Sequence, residues 1–292
     1  MRLRPLTRFM VGGWLAMVFV SSTPHLQAQA ERELESGPDK VLRFDRVVAV
    51  SSAVNNERKL SSAFFIELNA RMFLITAKHS AAETNLTTEV ALPSVGTLRI
   101  FRLAESLCKL GANPWTTHES ADLAVCEIDM SKIAETLRKQ IATMAVTLEQ
   151  FQRKTPERSS RIEVLGFPMG IGVTAERISP VVTNCFVASE ELNVAGTWGK
   201  ETNFFAAPAT GSGASGGMVT LHDEDAYQCA VVGLNIGFNA DNSGAKLARI
   251  IPASVIVDFL RAQTESDTGS EKSPEAVDTG KDEARKEAAG KD

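Results

Sequence analysis

The chain has 292 residues, 43% of them hydrophobic and 23% charged, with a formal net charge of −5 at pH 7. The hydrophobic share can fill a sizeable core, and the length suits one large domain or two small ones. No basic footprint marks a nucleic-acid partner, so that class is set aside, and no internal repeat stands out.

Residues 1–30 read as a cleavable export signal. Arg2, Arg4 and Arg8 form a positive start, Met10 to Val20 an apolar run of eleven residues, and Ala28-Gln29-Ala30 a small-residue cleavage site. So short a run cannot span about 30 Å of hydrocarbon as a helix. The expectation is a secreted or periplasmic chain starting at Glu31, without membrane insertion after cleavage. Losing the three arginines takes the net charge from −5 to −8.

Residues 31–130 then read as an N-terminal β-barrel. Val47–Val50 and Ala63–Leu68 are strand-like, Asn69-Ala70-Arg71 is a turn, and Met72–Thr76 returns as the hairpin partner. Residues 88–92 and 97–103 add two strands, and Ala121–Ile128 closes the group. About six strands in this span suit an antiparallel barrel. His79 follows the strand that ends at Thr76, and Asp122 heads the last one.

Residues 131–160 break the strand rhythm. Ile133, Leu137, Ile141, Met144, Ala145 and Leu148 recur at helical spacing, so the linker carries a helix. Residues 161–262 resume the strands at Arg161–Gly166, Pro180–Ser189, Asn203–Ala207, Met218–Leu221, Cys229–Ile236 and Leu247–Ile251. Loops are expected through Gly196 and Gly199 and over 237–244. Pro252 opens a closing helix with Val255, Ile256, Phe259 and Leu260 on one apolar face. Residues 263–292 hold nine acids, five bases and no aromatic residue, a composition that predicts a disordered tail.

The stretch Gly211-Ser212-Gly213-Ala214-Ser215-Gly216-Gly217 carries the chemistry. Dense glycines permit positive φ and expose several N–H groups at one point. A serine hydroxyl there can attack a carbonyl, and the oxyanion that forms needs such donors already in place.

Three stretches together resemble the trypsin-like, chymotrypsin-fold serine peptidases, nearest the bacterial HtrA-type branch. Thr76-Ala77-Lys78-His79, Asp122-Leu123-Ala124-Val125 and Gly213-Ala214-Ser215-Gly216-Gly217 stand in the family's order, 43 and 93 residues apart. The resemblance covers roughly residues 42–262 and implies an all-β fold of two antiparallel six-stranded barrels with a linking and a C-terminal helix. It implies an endopeptidase acting on polypeptides through an acyl-enzyme, without cofactor or metal. Ser215 would be the nucleophile, His79 the base, Asp122 its orienting partner, and the N–H groups of Gly213 and Ser215 the oxyanion hole. The specificity pocket would involve Ala209, Thr210, Leu234, Asn235 and Ile236. No acid lies between Asn203 and Thr220, so an uncharged apolar side chain of modest size is expected there. Ala214 stands where zymogens of the family carry an aspartate that pairs with a new N-terminus, so no such activation is expected. HtrA-type proteins usually carry a PDZ domain where this chain has residues 263–292, and the oligomeric state stays open.

Cys108, Cys126, Cys185 and Cys229 follow the export signal, and an oxidising compartment favours disulfides. Two fall in each expected barrel, so pairs 108–126 and 185–229 are expected, with free buried thiols as the alternative. Three rival readings compete. An α/β-hydrolase would need the order Ser, acid, His, and the only histidine after Ser215 is His222. A catalytically silent binding or chaperone module is the second. The third makes Ser212 the nucleophile, but it lacks the following Gly-Gly pair.

Overall fold

A computed structural model describes residues 41–55, 57–108 and 114–268. The export signal and residues 269–292 lie outside them. The N-terminal half contains β1 (Val47–Val54), β2 (Glu57–Leu68), β3 (Arg71–Thr76), β4 (Glu89–Leu92), β5 (Ser94–Val95), β6 (Arg99–Arg102), β7 (Thr116–Thr117), β8 (Ala124–Ile128) and β9 (Val146–Thr147). The C-terminal half contains β10 (Arg161–Gly166), β11 (Arg177–Ile178), β12 (Val181–Val187), β13 (Leu192–Gly196), β14 (Gly199–Ala207), β15 (Gly217–Leu221), β16 (Val231–Ala240) and β17 (Lys246–Pro252). Among the described residues three α-helices accompany them: α1 (Lys78–Ala82), α2 (Glu135–Met144) and α3 (Ala253–Thr268).

The fold is mostly antiparallel sheet with few helices, as the succession of short apolar runs separated by turns suggests. The N-terminal sheet runs β6-β4-β1-β2-β3-β8-β7, with β9 pairing β2. Six strands are expected in this half, and the sheet has eight, because the two-residue strands β7 and β9 add short pairings to β8 and β2. The C-terminal sheet runs β12-β10-β15-β16-β17-β14-β13, and a further pairing of β12 with β14 returns six of its seven strands on themselves. At the β2–β3 hairpin, Leu68 pairs with Arg71, and Asn69 and Ala70 both take left-handed φ. That mirror-image turn matches the twist of the flanking strands.

Three apolar clusters hold the sheets. Successive β2 side chains point to opposite faces: Phe65 enters the N-terminal cluster with Val48 and Leu74, and Phe64 enters a central cluster. That central cluster gathers Phe64, Ile66 and Phe73 from one half, Leu165, Phe167, Met218 and Leu234 from the other, and Ile256, Phe259 and Leu260 from α3. The third, around Ile162, Phe204, Val219 and Ile250, lies within the C-terminal sheet.

The halves also meet through polar groups. Arg43 is 2% exposed and forms a two-pronged ion pair with Glu163 of β10, at 2.8 and 3.2 Å. Its guanidinium donates further to the carbonyls of Asp223 and Asp225, at 2.6 and 2.7 Å. The small sheet of β5 and β11 is a second bridge.

Several local expectations change. The expected loop around Gly196 and Gly199 is a hairpin, with Gly196 opposite Gly199 across a two-residue turn. The expected loop at 237–244 begins as strand, since β16 continues to Ala240 through a bulge between Asn235 and Phe238 that Gly237 enters with φ +112°. Helix α2 stops at Met144, and Leu148 starts a separate turn capped reciprocally by Thr147 and Gln150. Helix α3 continues to Thr268, past the expected boundary at 262. The expected disulfides are absent: all four cysteines are free. Cys185 lies in the C-terminal cluster and Cys229 in the central one, whereas Cys126 is buried and Cys108 exposed. Among the described residues no helix is long and apolar enough to cross a membrane.

Candidate active site

Strand β3 ends at Thr76, whose hydroxyl donates to the Ser62 carbonyl at 2.7 Å. The chain turns at Ala77 into the short helix α1, which presents His79. Asp122 holds this residue at two points: its Oδ1 accepts from the His79 backbone N–H at 2.9 Å, and its Oδ2 meets Nδ1 at 2.7 Å. With Nδ1–H donating to the carboxylate, Nε2 keeps the lone pair that a general base needs.

Asp122 is itself framed. Its backbone N–H donates to Glu201 Oε2 at 3.0 Å, and Arg249 forms an ion pair with the other Glu201 oxygen. The preceding turn is organised by His118, whose Nδ1 accepts the N–H of Ala121 at 3.0 Å and of Ser120 at 3.3 Å. Accepting both requires an unprotonated Nδ1. Burial, helped by the Lys78 charge, lowers the His118 pKa, the direction that favours the neutral ring. For His79, burial alone would lower the pKa, but the Asp122 hydrogen bond and charge outweigh it and the value is raised.

The Ser215 loop docks against the strand end that leads to His79. The Ser62 N–H donates to the Ser215 carbonyl at 2.8 Å. Gly216 approaches so closely that a Cβ there would lie 2.0 Å from the Ser62 carbonyl oxygen and 2.1 Å from Thr76 Oγ1, which only glycine permits. Among the described residues no hydrogen bond links Ser215 Oγ to His79.

The loop's backbone groups can be accounted for one peptide at a time. The Ser212 carbonyl accepts from the Met169 N–H at 2.5 Å, and the Gly213 carbonyl from Ser62 Oγ at 2.8 Å. The Ala214 carbonyl accepts from Asn235 Nδ2 at 2.9 Å and from the Gly217 N–H at 3.0 Å. In a trans peptide the N–H points opposite its carbonyl. Anchoring Ser212 and Ala214 therefore aims the N–H groups of Gly213 and Ser215 the other way. Among the described residues neither donates a hydrogen bond, while the intervening Ala214 N–H donates to the Gly211 carbonyl. Two free donors flanking a serine hydroxyl can receive the negative oxygen of a tetrahedral intermediate.

The five expected pocket residues separate. Thr210 and Asn235 are buried and joined at 3.2 Å, and Ala209 packs against the C-terminal cluster. Leu234 and Ile236 belong to the central core. The sequence reading missed Ser62, Glu201, Arg249 and Met169. For Ser62 the only signal was a polar pair, Ser61-Ser62, at the head of an apolar run.

The architecture is that of the chymotrypsin-like serine protease fold. The protease domain of MamO from Magnetospirillum magneticum, in its apo form, has the same fold, with a TM-score of 0.51 and 18% identity over 75% of this chain and 97% of that one. The HtrA-type protease AlgW, solved with a tripeptide, matches with a TM-score of 0.51 and 20% identity over 77% of this chain and 62% of that longer one. The sequence matches no protein-family model and no curated protein.

Proposed function

We propose that the chain is a secreted or periplasmic serine endopeptidase. Ser215 attacks the scissile carbonyl, His79 takes its proton and returns it to the leaving amine, and Asp122 holds the imidazole. Water then releases the acyl-enzyme. The N–H groups of Gly213 and Ser215 stabilise the oxyanion in both steps. The observation that carries this reading is the conjunction of the doubly held His79 with two undonated N–H groups in the serine loop.

The substrates are polypeptides. Thr210 and Asn235 bring no charge to the expected pocket, and a buried unpaired charge is strongly disfavoured. Cleavage therefore follows residues such as Val, Ala, Leu or Met, with broad preference because each methylene discriminates by only about 1–3 kcal/mol. A proteome-derived peptide library read by mass spectrometry tests this. Dominant cleavage after Lys, Arg or Glu contradicts the pocket assignment.

A silent binding module is the second reading, and the missing Ser215–His79 hydrogen bond favours it. The two part on the same library: binding without any cut at enzyme-to-peptide ratios of about 1:10 supports the module. Catalytic hydrogen bonds are often long before substrate arrives, so the peptidase reading tolerates this geometry.

A further inference from the structure

Ser62 sits on β2, in the half of the molecule opposite the serine loop, and is wholly buried. Its side chain and backbone make four hydrogen bonds to three elements. Oγ donates to the Gly213 carbonyl at 2.8 Å and accepts from the Phe167 N–H at 3.0 Å. The backbone N–H holds the Ser215 carbonyl at 2.8 Å, and the backbone carbonyl accepts from Thr76 Oγ1 at 2.7 Å. One residue thus ties together the nucleophile loop, the turn after β10 and the strand that delivers His79.

Gly213 needs this support. Its φ is +93°, and a Cβ would lie 2.6 Å from the Phe167 carbonyl oxygen. Glycine fits the site but brings the widest backbone freedom of any residue. Its two flanking peptides are fixed from outside, on one side by the Met169 N–H and on the other by Ser62 Oγ. Met169 holds the preceding peptide from a left-handed backbone, φ 54°, which a non-glycine residue adopts only at some cost. Only the Ser62 contact comes from a side chain, so it is the one that substitution can remove, together with the bond that Oγ accepts from the Phe167 N–H.

We infer that Ser62 is a positioning residue of the oxyanion site: its hydroxyl fixes the Gly213 peptide so that the N–H groups on either side face the reacting carbonyl. The inference rests on the peptidase reading above. It makes the site competent only when the two sheets are docked, because the anchor and the donor loop belong to different halves.

The test compares the unaltered chain with Ser62→Ala and Ser62→Cys. Hydrolysis of an Ala-Ala-Val anilide is measured per site titrated with a fluorophosphonate, and the adduct of a peptidyl chloromethyl ketone labelled with ¹³C at its carbonyl is followed by NMR. Deleting an oxyanion donor outright costs about 10²–10³-fold in kcat, and misaiming one costs less. Ser62→Ala is therefore expected to lower kcat about 10–100-fold with KM little changed. The hemiketal ionisation should move to higher pH, while the acid limb set by His79 stays in place. Ser62→Cys, which keeps a weak donor, should fall between and serves if Ser62→Ala is poorly folded. A kcat equal to that of the unaltered chain, or a lowered kcat with unmoved hemiketal ionisation, overturns the inference alone. An unaltered chain that neither hydrolyses the anilide nor labels overturns the peptidase reading and this inference with it.

Discussion

Asp122 grips His79 through both its backbone and its ring, with one carboxylate oxygen on each. One carboxylate thus holds the imidazole at its Nδ1 and the helix that carries it at the His79 backbone N–H. The charge behind the ring gives this pair a pH signature.

The His79 pKa is raised above the ordinary 6.5 despite burial, because the Asp122 hydrogen bond and charge favour the imidazolium. A general base must be neutral, so kcat/KM should fall with acid at a midpoint above 6.5. Asp122→Asn should move that midpoint downward and cut kcat by about 10⁴-fold, the scale for this change in a serine-protease triad. The same shift makes the pair stabilising at acid pH, a contribution lost as pH rises through the folded His79 value. A flat rate profile from pH 5 to 9 would contradict the assignment.

The Arg43–Glu163 pair should dominate the docking of the first described turn onto the C-terminal sheet. Burial alone would raise the Glu163 pKa, but Arg43 and then His222 hold it below the usual value. Its stabilisation is present above the unfolded carboxylate pKa and disappears as pH falls through the lower folded value. Arg43→Ala leaves a buried carboxylate without its main partner and should cost about 3–5 kcal/mol in urea unfolding at pH 7. Arg43→Met with Glu163→Leu should cost less than either single change. A loss for Arg43→Ala of under about 1 kcal/mol would show that the pair is solvated.

Reductant should not change thermal stability. Burial pushes the Cys185 and Cys229 thiols up to about 11, so the reactive thiolate is scarce at neutral pH. Removing a native disulfide typically costs about 2–5 kcal/mol. A melting midpoint that falls in dithiothreitol, or fewer than four thiols titrating in denaturant, would show a bridge that this structure lacks.

Activity should not depend on a particular N-terminus. Ala214, immediately before Ser215, is buried and offers no carboxylate to an inserted amine. Chains starting at Glu31 and at Asp39 should hydrolyse the same peptide at similar rates. A large increase confined to one of them would contradict this.

Much of the sheet structure was legible because short apolar runs such as Ala63–Leu68 and Met72–Thr76 end in recognisable turns. The His79 and Asp122 stretches were legible as motifs, and the structure joins their side chains. The hairpin of β13 and β14 was not, since polar and glycine-rich residues from Glu190 to Lys200 pair through backbone bonds that composition does not report. The supports of the site were hidden for another reason. Ser62 reaches Gly213 across 151 residues and Glu201 reaches Asp122 across 79, and neither contact leaves a local pattern. Cysteine pairing failed because counting per half ignores which face of a strand each thiol occupies. Cys185 and Cys229 fall in different apolar clusters.

The most direct measurement of the central claim is labelling of the chain with a fluorophosphonate, with the modified residue located by mass spectrometry. The reagent reports a nucleophile, a base and an oxyanion site together. The account predicts one adduct, on Ser215, unchanged in Ser212→Ala and lost in Ser215→Ala and His79→Ala. No adduct on a folded, unaltered chain, or an adduct on Ser212 that survives Ser215→Ala, would contradict it.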